Sequence, residues 1–143
     1  MRLSSRTEYG VRAMFELASV FGGGPVALRE VAGRQGLPES YLEQLFGALR
    51  KAGLVSGQRG SQGGYCLARE PSAITVGDIV RALEGPIALC ECAGEDVAGC
   101  ERASSCAAHP VWVKLRDSIS AILDSTTLAD MLAWGPGSDV GTT

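Results

Sequence analysis

Apolar residues recur at three- and four-residue intervals in several stretches of the chain, and glycine or proline closes most of them. Over residues 5–21, Val11, Met14, Phe15, Ala18 and Phe21 form one stripe while Arg6, Arg12 and Glu16 lie off it, the pattern of an amphipathic helix. Gly22-Gly23-Gly24-Pro25 ends that helix. Leu28, Val31 and Ala32 mark a short helix over 28–35, and Gly36-Leu37-Pro38 breaks the chain, because proline steers the residue before it away from helical geometry. Leu42, Leu45, Phe46 and Leu49 predict a third helix over 41–52, with Ser40 and Glu43 at the S-x-x-E spacing of a capping box. Two helices joined by a three-residue turn containing glycine are a helix-turn-helix.

The period then changes. Leu54-Val55-Ser56 and Tyr65-Cys66-Leu67 can pair as short strands around the glycine-rich run from Gly57 to Gly64, which places a β-hairpin wing directly after the second helix of the motif. Thr75 caps a further helix through Leu83, with Asp78 repeating the capping-box spacing. His109-Pro110 opens the longest helix, since proline favours the first helical position. Trp112, Leu115, Ile119, Ile122 and Leu123 run along it as a continuous apolar stripe to about Asp124. A chain of 143 residues has little core left to receive that stripe, so the expected acceptor is the same helix of a twofold partner.

The predicted fold is mainly α with a small β-hairpin wing. A winged helix-turn-helix covers 1–84 and a cysteine-bearing loop 85–109. A dimerisation helix and a short C-terminal helix cover 110–134, and 135–143 is a frayed tail. There is no internal repeat.

Composition narrows the class. With 45% hydrophobic residues the chain can bury a core, and it has no apolar run long enough to span a bilayer. Its first residues are basic but lack the pattern of a signal peptide. The expectation is a cytoplasmic protein with no membrane partner, in which five cysteines serve as ligands or redox groups rather than as a disulfide framework. The net charge of −3 is unevenly spread: residues 1–64 carry eight Lys/Arg against five Asp/Glu, and residues 65–143 five against eleven. A basic half that coincides with a helix-turn-helix suits double-stranded DNA.

In such a motif the N-terminal residues of the second helix meet base edges, here Glu39, Ser40, Tyr41, Glu43 and Gln44. Gln44 has the donor–acceptor pair for adenine and Glu43 can accept from the cytosine amino group, although the capping box offers Glu43 a competing structural role. Ser40 and Tyr41 suit phosphate contacts or the cap, and Arg50 and Lys51 suit phosphate or solvent. Arg59, followed by Gly60 at the tip of the wing, suits insertion into a narrow minor groove.

The chemistry with the sharpest spacing lies between the last two long elements. Cys92, Cys100, Cys106 and His109, the only histidine, follow C-x7-C-x5-C-x2-H. Thiolates and imidazole are ligands for iron–sulfur clusters and for zinc. Zinc sites usually carry a tight C-x2-4-C knuckle, and the long gaps here favour a larger object spread over two or more irons. Cys90 is a spare thiol, a redox partner or an alternative ligand, because strand-like neighbours point to opposite faces. Cys66 reads as a small buried hydrophobe. No CxxC motif, nucleotide-binding glycine pattern or nucleophile–base constellation argues for an enzyme.

Met1-Arg2-Leu3, the stretch Ser40-Tyr41-Leu42-Glu43-Gln44-Leu45-Phe46, Leu49-Arg50-Lys51-Ala52-Gly53-Leu54-Val55, Arg59-Gly60 with Gly63-Gly64-Tyr65, and Thr75-Val76-Gly77-Asp78-Ile79 resemble the IscR-like family of winged-helix iron–sulfur regulators, relatives of which include NsrR and RirA. The likeness covers roughly residues 1–134. It implies a homodimeric repressor or activator acting on a palindromic operator, sensing cluster supply, redox state or nitric oxide, with the cluster assembly machinery as a donor. It implies a [2Fe–2S] cluster on Cys92, Cys100, Cys106 and His109, with [4Fe–4S] the form in some relatives. The first gap is seven residues where the family has five, and Cys90 is extra. Some relatives take a carboxylate from the first helix of the partner subunit, which makes Glu8 an alternative to His109, with Ser5 three residues before it offering a cap instead. The rival from another class is a constitutive DNA-binding protein with a structural Cys3His zinc site.

Overall fold

The computed structural model describes residues 3–60, 63–90, 93–95 and 104–135. Helix α1 (Ser5–Ser19) starts where the Ser4 hydroxyl accepts the Thr7 N–H at 3.4 Å. Ser5 is therefore already helical, and the expected Ser5–Glu8 cap is not the one formed. Helix α2 (Leu28–Gln35) ends at Gly36, whose φ of 65° closes it in the left-handed region that glycine enters without strain. Helix α3 (Glu39–Lys51) begins two residues before the predicted start. Pro38, at φ −65° and ψ 132°, stands at its N-cap and its carbonyl accepts the Leu42 N–H at 3.2 Å.

Strands β1 (Val55–Gln58) and β2 (Gly64–Leu67) pair antiparallel with Val55 opposite Leu67. Tyr65 also exchanges two backbone hydrogen bonds of 2.8 Å with Val26, so the wing is fastened to the segment before α2. A side chain at Gly64 would strike the Val26 backbone, which is why glycine stands there. A 3-10 turn (Pro71–Ala73) leads to α4 (Val76–Glu84), where Thr75 and Asp78 form both halves of a capping box. Helix α5 (His109–Ser125) and α6 (Leu128–Trp134) complete the fold, and Thr127 with Asp130 builds a second capping box that the apolar pattern did not reveal.

The core gathers Met14 and Leu17 from α1, Val31 from α2, Leu42, Leu45, Phe46 and Leu49 from α3, Ile79 from α4 and Leu128 from α6. The stripe expected on α1 is rotated. Ala13, Met14, Leu17 and Ala18 are buried, whereas Phe21 is exposed and Val11 and Phe15 are half-buried. Val11 instead lines a groove of about 560 Å³ with Leu3, Val76, Val80 and Leu123, so the helix carries two apolar faces where periodicity suggested one. Helix α5 buries none of its residues fully, and Val111, Trp112, Leu115 and Ile122 are 40–64% exposed. Among the described residues no helix is long and apolar enough to cross a membrane.

Candidate nucleic-acid interface and cysteine loop

Burial of Leu42, Leu45, Phe46 and Leu49 turns Glu39, Ser40, Glu43, Gln44, Arg50 and Lys51 to solvent along one face of α3. Carboxylates stand at its N-terminus and cations at its C-terminus, as the helix dipole favours. Starting the helix at Glu39 moves Ser40 inside the first turn, and no side chain caps the end. The Ser40–Glu43 capping box is therefore absent, and the structural role that competed for Glu43 disappears with it. Tyr41 is half-buried: its ring meets Tyr9 edge-on with centroids 5.8 Å apart, and the Arg12 guanidinium stands 5.6 Å above Tyr9. Tyr41 thus fastens α3 to α1.

Arg59 and Gly60 are exposed on the wing, with Gly60 at φ 108°. The Gly63 N–H returns to the Gly60 carbonyl at 3.0 Å, and any side chain at Gly63 would run into the Gln58 and Gly60 carbonyls. The Gly63 to Gly60 hydrogen bond fixes the backbone next to Arg59; Ser61 and Gln62 lie outside the described residues. One cation was missed in the sequence. Arg29 is exposed on α2 and forms no ion pair among the described residues, whereas Arg34 pairs with Glu16 at 3.4 Å. A charge count cannot separate the two arginines.

Beyond α4 the chain folds back on itself. The Glu95 N–H donates to the Ile87 carbonyl at 3.0 Å, the Ala93 N–H donates to the Cys90 carbonyl at 3.2 Å, and Ala88 bridges Gly94. Cys90 is half-buried at this return, and the strand-like step expected from Cys90 to Cys92 falls on residues outside those described. Cys92 and Cys100, two of the predicted donors, lie outside the described residues, as do residues 136–143 of the tail. Cys106 and His109 are half-buried at the start of α5, where the His109 N–H reaches the Cys106 carbonyl at 3.4 Å. Glu8 is exposed on α1 at the rim of the 560 Å³ groove. Cys66 is half-buried, with its sulfur 3.2 Å from the Ser56 hydroxyl, rather than deep in the core.

His109 supplies the clearest sign of a ligand. Its Nδ1 is buried and has no hydrogen-bond partner among the described residues, a situation that costs about 1–3 kcal/mol when nothing compensates it. An imidazole nitrogen that no hydrogen bond occupies has the chemistry to act as a metal ligand. Set three residues after the Cys106 thiol, with Cys92 and Cys100 upstream in the sequence, it fits the soft donor set of an iron–sulfur cluster or of zinc.

A second polar centre went unnoticed in the sequence. The Arg81 guanidinium on α4 grips Glu95 through Nε (3.0 Å) and Nη2 (2.6 Å), and Asp124 of α5 through Nη1 (2.6 Å) and Nη2 (3.0 Å). Glu95 also accepts the Ile87 N–H at 2.8 Å and the Ser120 hydroxyl at 3.2 Å. The Arg81 fork, assisted by the Ile87 N–H and opposed by burial, holds the Glu95 carboxyl down to about 2, and the paired carboxylates push the Arg81 guanidinium upward.

Comparison with known proteins places this geometry. The family model Rrf2, described as an iron-dependent transcriptional regulator, matches residues 3–133. The HTH-type transcriptional regulator CymR of Bacillus subtilis is 43% identical over 137 residues, 96% of this chain and 94% of CymR. Its solved structure, that of the global cysteine regulator, superposes with a TM-score of 0.79 over 94% of this chain and 98% of that one. The regulator IscR of Yersinia pestis is 42% identical over 132 residues, covering 92% of this chain and 79% of its own. The solved IscR of T. potens is 50% identical with a TM-score of 0.76, covering 93% and 87%.

Proposed function

The chain belongs to the Rrf2 family and is a DNA-binding transcriptional regulator, and on that premise we propose that it is a cytoplasmic homodimer whose operator affinity depends on an iron–sulfur cluster. Cys92, Cys100, Cys106 and His109 would hold the cluster, [2Fe–2S] rather than [4Fe–4S], with Glu8 or Cys90 as the alternative fourth ligand. The observation that carries this reading is the buried, unpartnered Nδ1 of His109. A bound cluster would supply a group that oxidants or nitric oxide can destroy, which turns a chemical signal into loss of a structural ligand.

The chain's own residues provide the rest. Glu39, Ser40, Glu43 and Gln44 face a major groove, with Glu43 and Gln44 reading bases. Arg29, Arg50 and Lys51 neutralise phosphate, and Arg59 with Gly60 enters the minor groove. The exposed Val111, Trp112, Leu115 and Ile122 face of α5 and the neighbouring groove receive the second subunit, which sets the spacing of two recognition helices on a palindrome. The cluster assembly machinery is the proposed donor.

The test uses protein purified without oxygen. Iron and acid-labile sulfide in equal amounts, visible absorption, and different affinities of loaded and cluster-free protein for the DNA upstream of its own gene are the expected results. Zinc without sulfide defeats the cluster and favours the structural Cys3His site. Likeness to a global cysteine regulator supports a second reading, in which the same DNA-binding unit reports cysteine supply. Protein free of both iron and zinc that still binds the operator favours that reading.

A further inference from the structure

We propose that Arg81 is the positioning residue through which the cysteine loop is coupled to the DNA-binding unit, its guanidinium joining Glu95 of the loop, α4 and Asp124 of α5. The inference rests on the sensing role proposed for that loop. Both edges of one guanidinium are occupied by a bidentate carboxylate, a planar geometry that lysine cannot reproduce. The three groups lie on three different parts of the chain, so the contact has no local function such as capping.

Independent features are built around the same point. Gly77 sits where a side chain would strike the ends of both the Asp124 carboxylate and the Arg81 guanidinium, so the ion pair occupies the space that a missing Cβ leaves open. Helix α5 presents Arg116, Ser120 and Asp124, spaced four residues apart on one face, to this side. Arg116 donates to the Gly94 carbonyl at 3.3 Å and Ser120 donates to Glu95. Segment 93–95 begins one residue after Cys92, so a ligand drawing on that thiol acts on the clamp over a very short stretch of backbone. On the other side α4 packs against α1 and the recognition helix α3, and the Val76 N–H at its start donates to the Thr126 carbonyl at 2.8 Å. Displacing Glu95 thereby frees one edge of the Arg81 guanidinium and leaves the Asp124 fork as its remaining link between α4 and α5.

The test compares wild type with Arg81→Gln, Arg81→Lys and Glu95→Gln in the full chain. Glu95→Gln breaks only the Glu95 half of the contact, without altering a helix or the Asp124 fork, which keeps the test decisive if Arg81→Gln fails to fold. In cluster-free protein, amide exchange at Ile87 and Glu95 is expected to accelerate by about tenfold or more in both glutamine variants, the loss of a hydrogen bond to a charged group. After cluster loading, the visible spectrum is expected to match wild type while the ratio of loaded to cluster-free operator affinity falls toward one, with Arg81→Lys intermediate. A wild-type ratio that persists in Arg81→Gln and Glu95→Gln overturns the coupling and leaves the sensing role standing. A ratio of one in wild type itself overturns the sensing role and the coupling together.

Discussion

Tyr9 of α1 and Tyr41 of α3 meet at right angles, their ring planes 87° apart, so the recognition helix is anchored at its N-terminal turn by an aromatic contact. The exposed residues on either side of Tyr41, Ser40 and Glu43, are thereby aimed as well as displayed. Edge-to-face pairs add about 0.5–1.5 kcal/mol beyond their burial. A double-mutant cycle of Tyr9→Leu and Tyr41→Leu, followed by urea unfolding, is expected to return a coupling in that range. Operator affinity in the Tyr9→Leu protein should also fall, although Tyr9 is on the helix before the motif. Additive effects would show that the two rings do not support each other.

Arg59 stands exposed on the wing next to the Gly63 to Gly60 hydrogen bond. Replacing it with alanine is expected to weaken operator binding and to lower the slope of log affinity against log salt by about 1. Binding isotherms at several salt concentrations measure both. Unchanged affinity and slope would remove the wing arginine from the interface.

Ile122 is 64% exposed on a helix with no fully buried residue. Ile122→Asp is expected to leave the helical circular dichroism unchanged while light scattering shows a shift from dimer to monomer, because a charge at an apolar contact carries a large desolvation penalty. A dimer that survives the substitution would place the subunit contact elsewhere.

The Glu95 carboxyl is held from an ordinary 4.5 down to about 2 by Arg81. A folded-state value below the unfolded one means that its stabilisation is complete above the unfolded value. That stabilisation is lost as pH falls through the interval from 4.5 toward about 2. Wild type is expected to lose more stability across that interval than Glu95→Gln does, as measured by urea midpoints. Parallel losses in the two proteins would mean that the clamp contributes nothing to folding stability.

Much of the architecture was legible in the chain. Periodicity located the helices, and Thr75 with Asp78 formed the predicted box because a threonine followed by an extended-to-helical step has few other ways to satisfy the first N–H groups. The same rule failed at Ser40 and Ser5. Pro38 starts α3 two residues early with its backbone already preset, and Ser4 competes successfully for the start of α1. Capping is a contest among adjacent residues, which spacing alone does not decide.

The order of elements, the apolar periods and the spacing of three cysteines and one histidine are properties of the sequence by itself, because they depend on residue type and local spacing. Which face of α1 enters the core, and the pairing of Arg81 with both Glu95 and Asp124, are decided only by the tertiary structure. Glu95 and Asp124 lie 14 and 43 residues from Arg81, and no local period records a contact that forms only when α4, α5 and the returning loop close on one another. The orphaned Nδ1 of His109 belongs to the same class. Its chemistry was evident from the chain, but burial without a partner is a property of the space around it.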